Sequence, residues 1–161
     1  MKRRIFAALA LALCISLLAC SKQSYANDVR CESLCLEALG ALASQTEYAP
    51  LGKSHREFYF GSDEQYDDCY IAYSEDTNDI NELGVFHAAN GDSAARLFEL
   101  CEDYVRDLSE NSRAFIGSYA PAELPKLDAA AVRRFGNYVV YAVMSKEDVA
   151  SVMRTVEVCL K

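Results

Sequence analysis

The sequence predicts an α+β fold, a two-layer sandwich in which helices cover an antiparallel sheet of about four or five strands, behind an N-terminal signal peptide. Apolar runs at 130–135 and 138–144 flank Gly136-Asn137, which is typical of a two-residue hairpin. Segment 68–74 alternates like a strand. Three longer segments each carry one apolar stripe at helical spacing. Helices of that kind cover one face of an antiparallel sheet.

The first half of the domain is expected to contain one helix and three strands. The helix should begin near Asp28, a good N-cap residue. Its apolar stripe consists of Cys31, Leu34, Cys35, Ala38, Leu39 and Leu42. The aromatic segments 57–60 and 68–74 predict two strands joined through a glycine-containing turn. After a polar turn over 75–81, residues 83–88 predict a third strand.

The second half begins with a long helix that Asn90 is expected to cap. Its stripe consists of Ala94, Leu97, Phe98, Cys101, Tyr104, Val105 and Leu108, with Phe115 extending it. Segment 111–128, which contains two prolines, predicts a connecting loop. The hairpin follows, and Gly136 in its first turn position favours type II′. Ser145 and Asp148 predict a capping box for a last helix. Its stripe is Val149, Val152, Met153, Val156 and Cys159.

The N-terminus predicts an export signal. Residues 2–4 are basic and residues 5–19 are almost entirely apolar, a run shorter than the roughly 20 residues of a membrane-spanning helix. Two cleavage sites follow this run. Residues 17–20, Leu-Leu-Ala-Cys, form a lipobox, whereas residues 24–26 would release a soluble chain. Because the lipobox directly adjoins the apolar run, we predict a signal peptide over 1–19 and a diacylglyceryl group on Cys20.

The predicted mature chain consists of the lipidated Cys20 with a short tether to residue 27, and one domain over 28–161. Removal of the leader takes away three of the 16 Lys and Arg residues and none of the 24 Asp and Glu residues, so the net charge changes from −8 to about −11. An anionic chain is repelled by phosphate backbones and anionic head groups. The charge therefore argues against nucleic acid as a partner. The lipid would place the domain on the outer face of the cytoplasmic membrane.

Three segments carry a specific pattern, DTNDINELGVFHAANGDSAARL, SYAPAELPKLDAAAV and RFGNYVVYAVMSK. Their most specific parts are the hairpin at 136–138 and the run of Tyr119, Pro121, Pro125, Lys126 and Leu127. Behind a lipobox leader, this pattern resembles the small Gram-positive lipoproteins grouped as domain of unknown function family 4358, from about Asp28 onward. The resemblance implies a lipid-anchored surface protein with no assigned activity. The chain differs from the family pattern in its many cysteines and its short, uneven early strands.

Five cysteines follow the leader, an odd number for an extracytoplasmic chain. They are Cys31, Cys35, Cys69, Cys101 and Cys159. Cys31 and Cys35 share one helix face, but a zinc site needs three or four ligands and the chain contains only His55 and His87 as imidazoles. Packing in the core explains the pair better. The sequence leaves undecided whether a long-range disulfide forms that involves Cys101, Cys159 or Cys69.

No catalytic signature is present, and we predict no catalytic residue, metal or cofactor apart from the lipid. A cysteine nucleophile needs a histidine base. Cys69 and His87 lie on neighbouring predicted strands and form one such pair, with plain packing as the alternative. An acidic cluster between the strands lacks the spacing of a calcium-binding EF-hand, so we expect solvated turns. It consists of Asp63, Glu64, Asp67, Asp68, Glu75, Asp76, Asp79 and Glu82.

The predicted loop offers a candidate binding site because its prolines limit its freedom and it carries an aromatic anchor. The candidate residues are Tyr119, Pro121, Pro125 and Lys126. Alternatively, the loop's apolar side chains only pin it to the core. We therefore expect a membrane-anchored, noncatalytic binding or accessory domain whose partner is a protein, a peptide or an envelope component. A tethered hydrolase with a cysteine site and a thiol redox or metal protein are the alternatives.

Overall fold

The computed structural model describes residues 24–44, 46–61 and 65–161. The predicted leader, the lipidation site Cys20 and residues 21–23 of the tether lie outside the described residues. Among the described helices, none combines the length and the apolar character that crossing a bilayer requires.

Within these ranges, five strands form one sheet, and every neighbouring pair is antiparallel. In chain order, the elements are α1 (Cys31–Gly40), β1 (Tyr48–Pro50), α2 (Lys53–Phe60), β2 (Asp68–Ser74), β3 (Glu82–His87), α3 (Gly91–Tyr119), a 3-10 turn (Pro121–Glu123), α4 (Leu124–Ala129), β4 (Ala131–Phe135), β5 (Tyr138–Val143) and α5 (Lys146–Cys159). The spatial order of the strands is β1-β2-β3-β5-β4. The α+β class and the size of the sheet are confirmed.

Helices cover both faces of this sheet. Successive side chains of β5 alternate between the faces, and all six are buried. Tyr138, Val140 and Ala142 pack with α1 and α5 on what we call the α1/α5 face. Val139, Tyr141 and Val143 pack with α2, α3 and α4 on the α2/α3 face. The sheet therefore lies between two helical layers, one more than expected, because its central strand is apolar on both sides.

The predicted strand at 57–60 is wrong, since these residues lie in helix α2. The edge strand that pairs with β2 is instead β1, in which Tyr48 lies opposite Ser74. Helical geometry buries Phe60 completely, at ring distances of 5.0 Å from Phe86 and 5.6 Å from Tyr141, and leaves its aromatic neighbours outward. A helix buries about one of these aromatic side chains per turn, here Phe60, whereas a strand would bury every second residue.

The predicted loop over 111–128 is also wrong, because the segment is mostly helical. Helix α3 continues to Tyr119, and the 3-10 turn and α4 follow directly. Pro121 opens the 3-10 turn, and Pro125 lies in the first turn of α4. The N–H groups of a first helical turn have no acceptor within the helix, so proline, which lacks this N–H, loses no hydrogen bond there. Both prolines can therefore stand at helix starts.

Local signals at other boundaries are confirmed. Asn90 caps α3 by accepting hydrogen bonds from two backbone N–H groups of the first turn, and Ser145 Oγ accepts one from the N–H of Asp148 at 3.1 Å. Gly136 has a φ of 62° while Asn137 has a negative φ, as a type II′ turn requires. Helix α1 begins later than expected, with Arg30 at its N-cap position and no side-chain cap.

The segment before α1 packs against the hairpin end of the sheet. The Tyr138 hydroxyl donates to the Val29 carbonyl at 2.7 Å and accepts from the Val29 N–H at 2.9 Å. The Ala26 N–H donates to the Leu160 carbonyl at 2.8 Å. Residues 25–27, which the sequence analysis placed in the tether, are thus in contact with the domain. Residue 25 is the fifth position after Cys20.

Candidate functional site

A groove runs along the solvent side of α3 on the α2/α3 face. Its first recess, of about 430 Å³, is lined by Phe58, Tyr59, Leu100, Asp103, Tyr104, Asp107, Leu108, Asn111 and Ser112. Its second recess, of about 320 Å³, is lined by Tyr73, Ser74, Asp79, Ile80, Asn81, Glu82, Leu108, Ser112, Phe115 and Ile116. Because Leu108 and Ser112 line both recesses, we treat them as one continuous feature, the α3 groove.

Exposed aromatic side chains mark both ends of the α3 groove. At one end, Phe58 is 81% exposed and its ring meets that of Tyr59 nearly at a right angle, with centroids 5.0 Å apart. At the other end, Phe115 and Tyr119 are 64% and 75% exposed and their ring centroids lie 4.6 Å apart. Their i, i+4 spacing puts both on one side of α3. Clustered exposed apolar side chains are typical of interaction surfaces.

A buried carboxyl group lines the second recess and contacts Tyr104, which lines the first. Glu82 starts β3, and its Oε1 accepts hydrogen bonds from the hydroxyls of Tyr104, at 2.9 Å, and of Tyr141. Burial raises the pKa of Glu82, although the two donated hydrogen bonds oppose this shift. Burial and the charge of Glu82 also raise the pKa of both tyrosines. The groove floor therefore contains a carboxyl group held by two fixed hydroxyl donors.

Gly84 makes room for this arrangement. It lies opposite Tyr141 in the β3–β5 ladder, and a Cβ atom at Gly84 would lie 2.1 Å from a ring carbon of Tyr141. The tyrosine ring therefore lies directly over the glycine. The expectation that Glu82 belongs to a solvated acidic turn is wrong, since Glu82 starts a strand and its carboxyl group is buried between two tyrosine hydroxyls. A glycine within an apolar strand was the available signal, since it often marks a close approach of another group.

Lys126 forms ion pairs next to the second recess of the α3 groove. Its Nζ lies 2.6 Å from Asp79 Oδ1 and 2.6 Å from Glu123 Oε2. Burial alone would lower the pKa of Lys126, but the two carboxylates outweigh it and raise the pKa. Burial alone would raise the pKa of Asp79, but Lys126 and the hydrogen bonds from the Asn81 N–H and from Ser74 together lower it. Lys126 thus joins α4 to the turn between β2 and β3.

The four candidate binding residues occupy different environments. Tyr119 is exposed and stacks on Phe115 beside the α3 groove. Lys126 is engaged in its two ion pairs, and Pro121 and Pro125 start helical segments. Of the four, Tyr119 lies exposed beside the α3 groove, and Lys126 pairs with Asp79, which lines the second recess.

Cys69 and His87 are not brought together. Cys69 lies opposite Phe86 and packs on the α2/α3 face. The His87 ring contacts Tyr138 on the other face, with centroids 4.7 Å apart, and its Nε2 lies 3.0 Å from Asn27 Oδ1. Since the sheet separates the two side chains, the hydrolase alternative loses the nucleophile and base that the sequence offered.

The thiols of α1 serve as packing groups. Cys35 Sγ donates to the Leu83 carbonyl at 3.7 Å, and burial raises the pKa of Cys35 to about 12. Burial also raises the pKa of Cys31 and of Cys101, which lies beyond the sheet on the α2/α3 face. The cysteines of residues 24–161 that the structure describes form no disulfide with one another. Its described residues likewise contain no group of three or more metal-ligating side chains suited to an ion.

Comparison with known proteins adds one match. The family model described as a domain of unknown function (DUF4358) matches residues 53–144, more than half of the chain. This span contains α2 through β5, and with them all residues that line the α3 groove. No curated protein and no solved structure matches the chain.

Proposed function

Since the chain belongs to the DUF4358 family, whose description names no activity, we propose that it is a noncatalytic binding domain, held by a lipid on Cys20 at the outer face of the cytoplasmic membrane. One observation carries this proposal. Residues 25–29, which lie shortly after Cys20 in the chain, pack against one end of the sheet, and the second recess of the α3 groove opens at the other end.

The strand register defines these two ends. His87 lies opposite Tyr138 at the end that binds residues 25–29, and Glu82 lies opposite Val143 at the end where the second recess opens. Five residue steps of β3 separate them, which corresponds to about 17 Å. A lipid on Cys20 would hold the hairpin end near the bilayer, because the chain from Cys20 to residue 25 reaches at most about 18 Å. The groove would then face away from the membrane.

The noncatalytic part of the proposal is supported by the environments of the reactive groups. The pKa values of the Cys31, Cys35 and Cys101 thiols are raised by burial, which disfavours the nucleophilic thiolate. The carboxyl group of Glu82 already accepts two hydrogen bonds within the fold. Exposed aromatic side chains, by contrast, are available to a partner.

The proposal can be tested by expressing the full chain and its Cys20→Ser variant in the native host. We expect the unchanged chain in the membrane fraction, with a diacylglyceryl group on Cys20 detected by mass spectrometry of the N-terminal peptide. The Cys20→Ser variant should carry no lipid and should leave that fraction. The matched control, Cys14→Ser, changes a leader cysteine and should behave like the unchanged chain. A lipid-free N-terminus that begins at Asn27 would contradict the proposal.

A further inference from the structure

We propose that the α3 groove binds an extended peptide segment that alternates basic and apolar side chains. This inference rests on the proposed binding role of the domain, and it is independent of the lipid anchor. The length, charge and aromatic character of the groove each support it.

The length of the groove fits a peptide. Its lining residues on α3 extend from Leu100 to Ile116, which corresponds to about 24 Å along the helix axis. An extended chain covers that distance with about seven residues. The aromatic pairs at both ends, Phe58 with Tyr59 and Phe115 with Tyr119, provide two separated anchoring points, whereas a small molecule would engage one recess only.

The charge of the groove favours a cationic partner. The described lining residues of both recesses include four acidic residues and no Lys or Arg: Asp79, Glu82, Asp103 and Asp107. Two of the four acidic residues form ion pairs within the protein, since Lys126 pairs with Asp79 and Arg106 lies 2.6 Å from Asp103. Glu82 is engaged by two tyrosine hydroxyls, so the exposed Asp107 is the carboxyl group of the four that is most accessible to a partner. A second copy of this chain, with a net charge of −8, is disfavoured by repulsion.

The aromatic rings supply the complementary surface for basic side chains. Tyr59 and Tyr104 lie edge to face with centroids 5.2 Å apart, and Asp107 lines the same recess. An ammonium or guanidinium group is attracted both to an aromatic ring face and to a carboxylate. The apolar positions of the peptide would pack on Leu108 and on the exposed ring of Phe115. Alternation in an extended chain places such side chains on two sides of the peptide.

The test measures fluorescence anisotropy of labelled peptides mixed with the full chain, as its host produces it, in nonionic detergent. The probe is Lys-Leu-Lys-Leu-Lys-Leu-Lys. One comparison peptide replaces every Lys with Glu, and a second replaces every Leu with Ser. We expect saturable binding of the probe and at least about tenfold weaker binding of both comparison peptides.

Variants then locate the binding site. Phe58→Ser should weaken binding of the probe about tenfold, because the side chain is an exposed anchor. Asp107→Asn should weaken binding about threefold in dilute salt and less at high salt. Val158→Ser and Glu99→Gln are matched controls, since Val158 is an exposed apolar residue on α5 and Glu99 is an exposed acid outside the α3 groove, and both should leave binding unchanged.

Four results would overturn the inference, and the first three concern the peptides and the variants. These are equal binding of the acidic peptide, equal binding of the Ser peptide, or equal weakening by the groove variants and their controls. Self-association of the chain that Phe58→Ser abolishes would assign the groove to a second copy and would also overturn it. None of these results bears on whether Cys20 is lipidated, so the anchor and the peptide can fail separately.

Discussion

The two faces of the sheet differ in how completely their helices close them. On the α1/α5 face, the described apolar core packs against helices that are 10 and 14 residues long. On the α2/α3 face, the 29-residue helix α3 is about 43 Å long, whereas a six-residue strand spans about 20 Å. A helix of that length extends past the strands and leaves aromatic side chains near its end uncovered.

This difference indicates a division of roles. The α1/α5 face buries apolar surface and contributes stability. The α2/α3 face also buries an ionisable group, Glu82, and exposes Phe58, Phe115 and Tyr119 beside it. Exposed aromatic residues contribute little to folding, and among the described residues they lie on this face, as the binding role proposed above requires.

The largest expected loss of stability comes from a substitution in the core of the α1/α5 face. Leu34 is 2% exposed on α1, so Leu34→Ala should lower the free energy of unfolding by about 4 kcal/mol, through lost burial and the cavity left behind. Urea unfolding followed by circular dichroism measures this change. Leu36→Ala, at an exposed position of the same helix, is the control and should cost less than about 0.5 kcal/mol. Equal costs for the two variants would contradict the closed character of this face.

The next effect tests the close approach beneath the α3 groove. Gly84→Ala should lower the free energy of unfolding by about 3 kcal/mol, because the new methyl group would overlap the buried Tyr141 ring. Gly117→Ala is the matched control. A Cβ at Gly117 meets Leu124 at an ordinary 3.6 Å, and alanine is the better helix former, so this change should stabilise by about 0.5 kcal/mol. Urea unfolding of both variants compares them, and a neutral Gly84→Ala would refute the described packing.

The smallest effect concerns the charge on the α2/α3 face. Burial raises the pKa of Glu82, so the folded chain holds this proton more tightly than the unfolded chain does. The corresponding stability is present at acidic pH and is lost as the pH rises through the folded pKa. The unchanged protein should therefore lose stability relative to Glu82→Gln as the pH rises from acidic values through the raised pKa of Glu82.

Urea unfolding of both proteins across that range measures this difference. Glu99→Gln, which changes an exposed carboxylate, serves as the matched control. If the Glu82→Gln difference depends on pH no more than the Glu99→Gln difference does, the buried carboxyl group does not titrate as described.

Local signals in the sequence predicted much of the fold. The range 68–74 of β2 agrees with the structure, as do the Gly136-Asn137 turn and the caps at Asn90 and Ser145. Each depends on residues within one turn or one strand. The helix at 53–60 was missed because its aromatic composition fits a strand, and only tertiary packing of Phe60 decides between the two.

The second helical layer could have been expected. Residues 138–143 are apolar at every position, which is typical of a strand that is buried on both faces. The site is different in kind, because Glu82 meets hydroxyls 22 and 59 positions away in the chain. No local pattern connects positions so distant. Only the packing of α3 and β5 against β3 brings these groups together.

The buried thiols in the two cores can report separately on the local opening of each face of the sheet. Cys35 lies on the α1/α5 face and Cys101 on the α2/α3 face, and the pKa of each is raised by burial. A thiol in this state reacts with an alkylating reagent only while the surrounding layer is open. The alkylation rate of Cys35 therefore measures how often the α1/α5 layer opens, and that of Cys101 measures the same for the α2/α3 layer. Both rates can be obtained from the protein without any substitution.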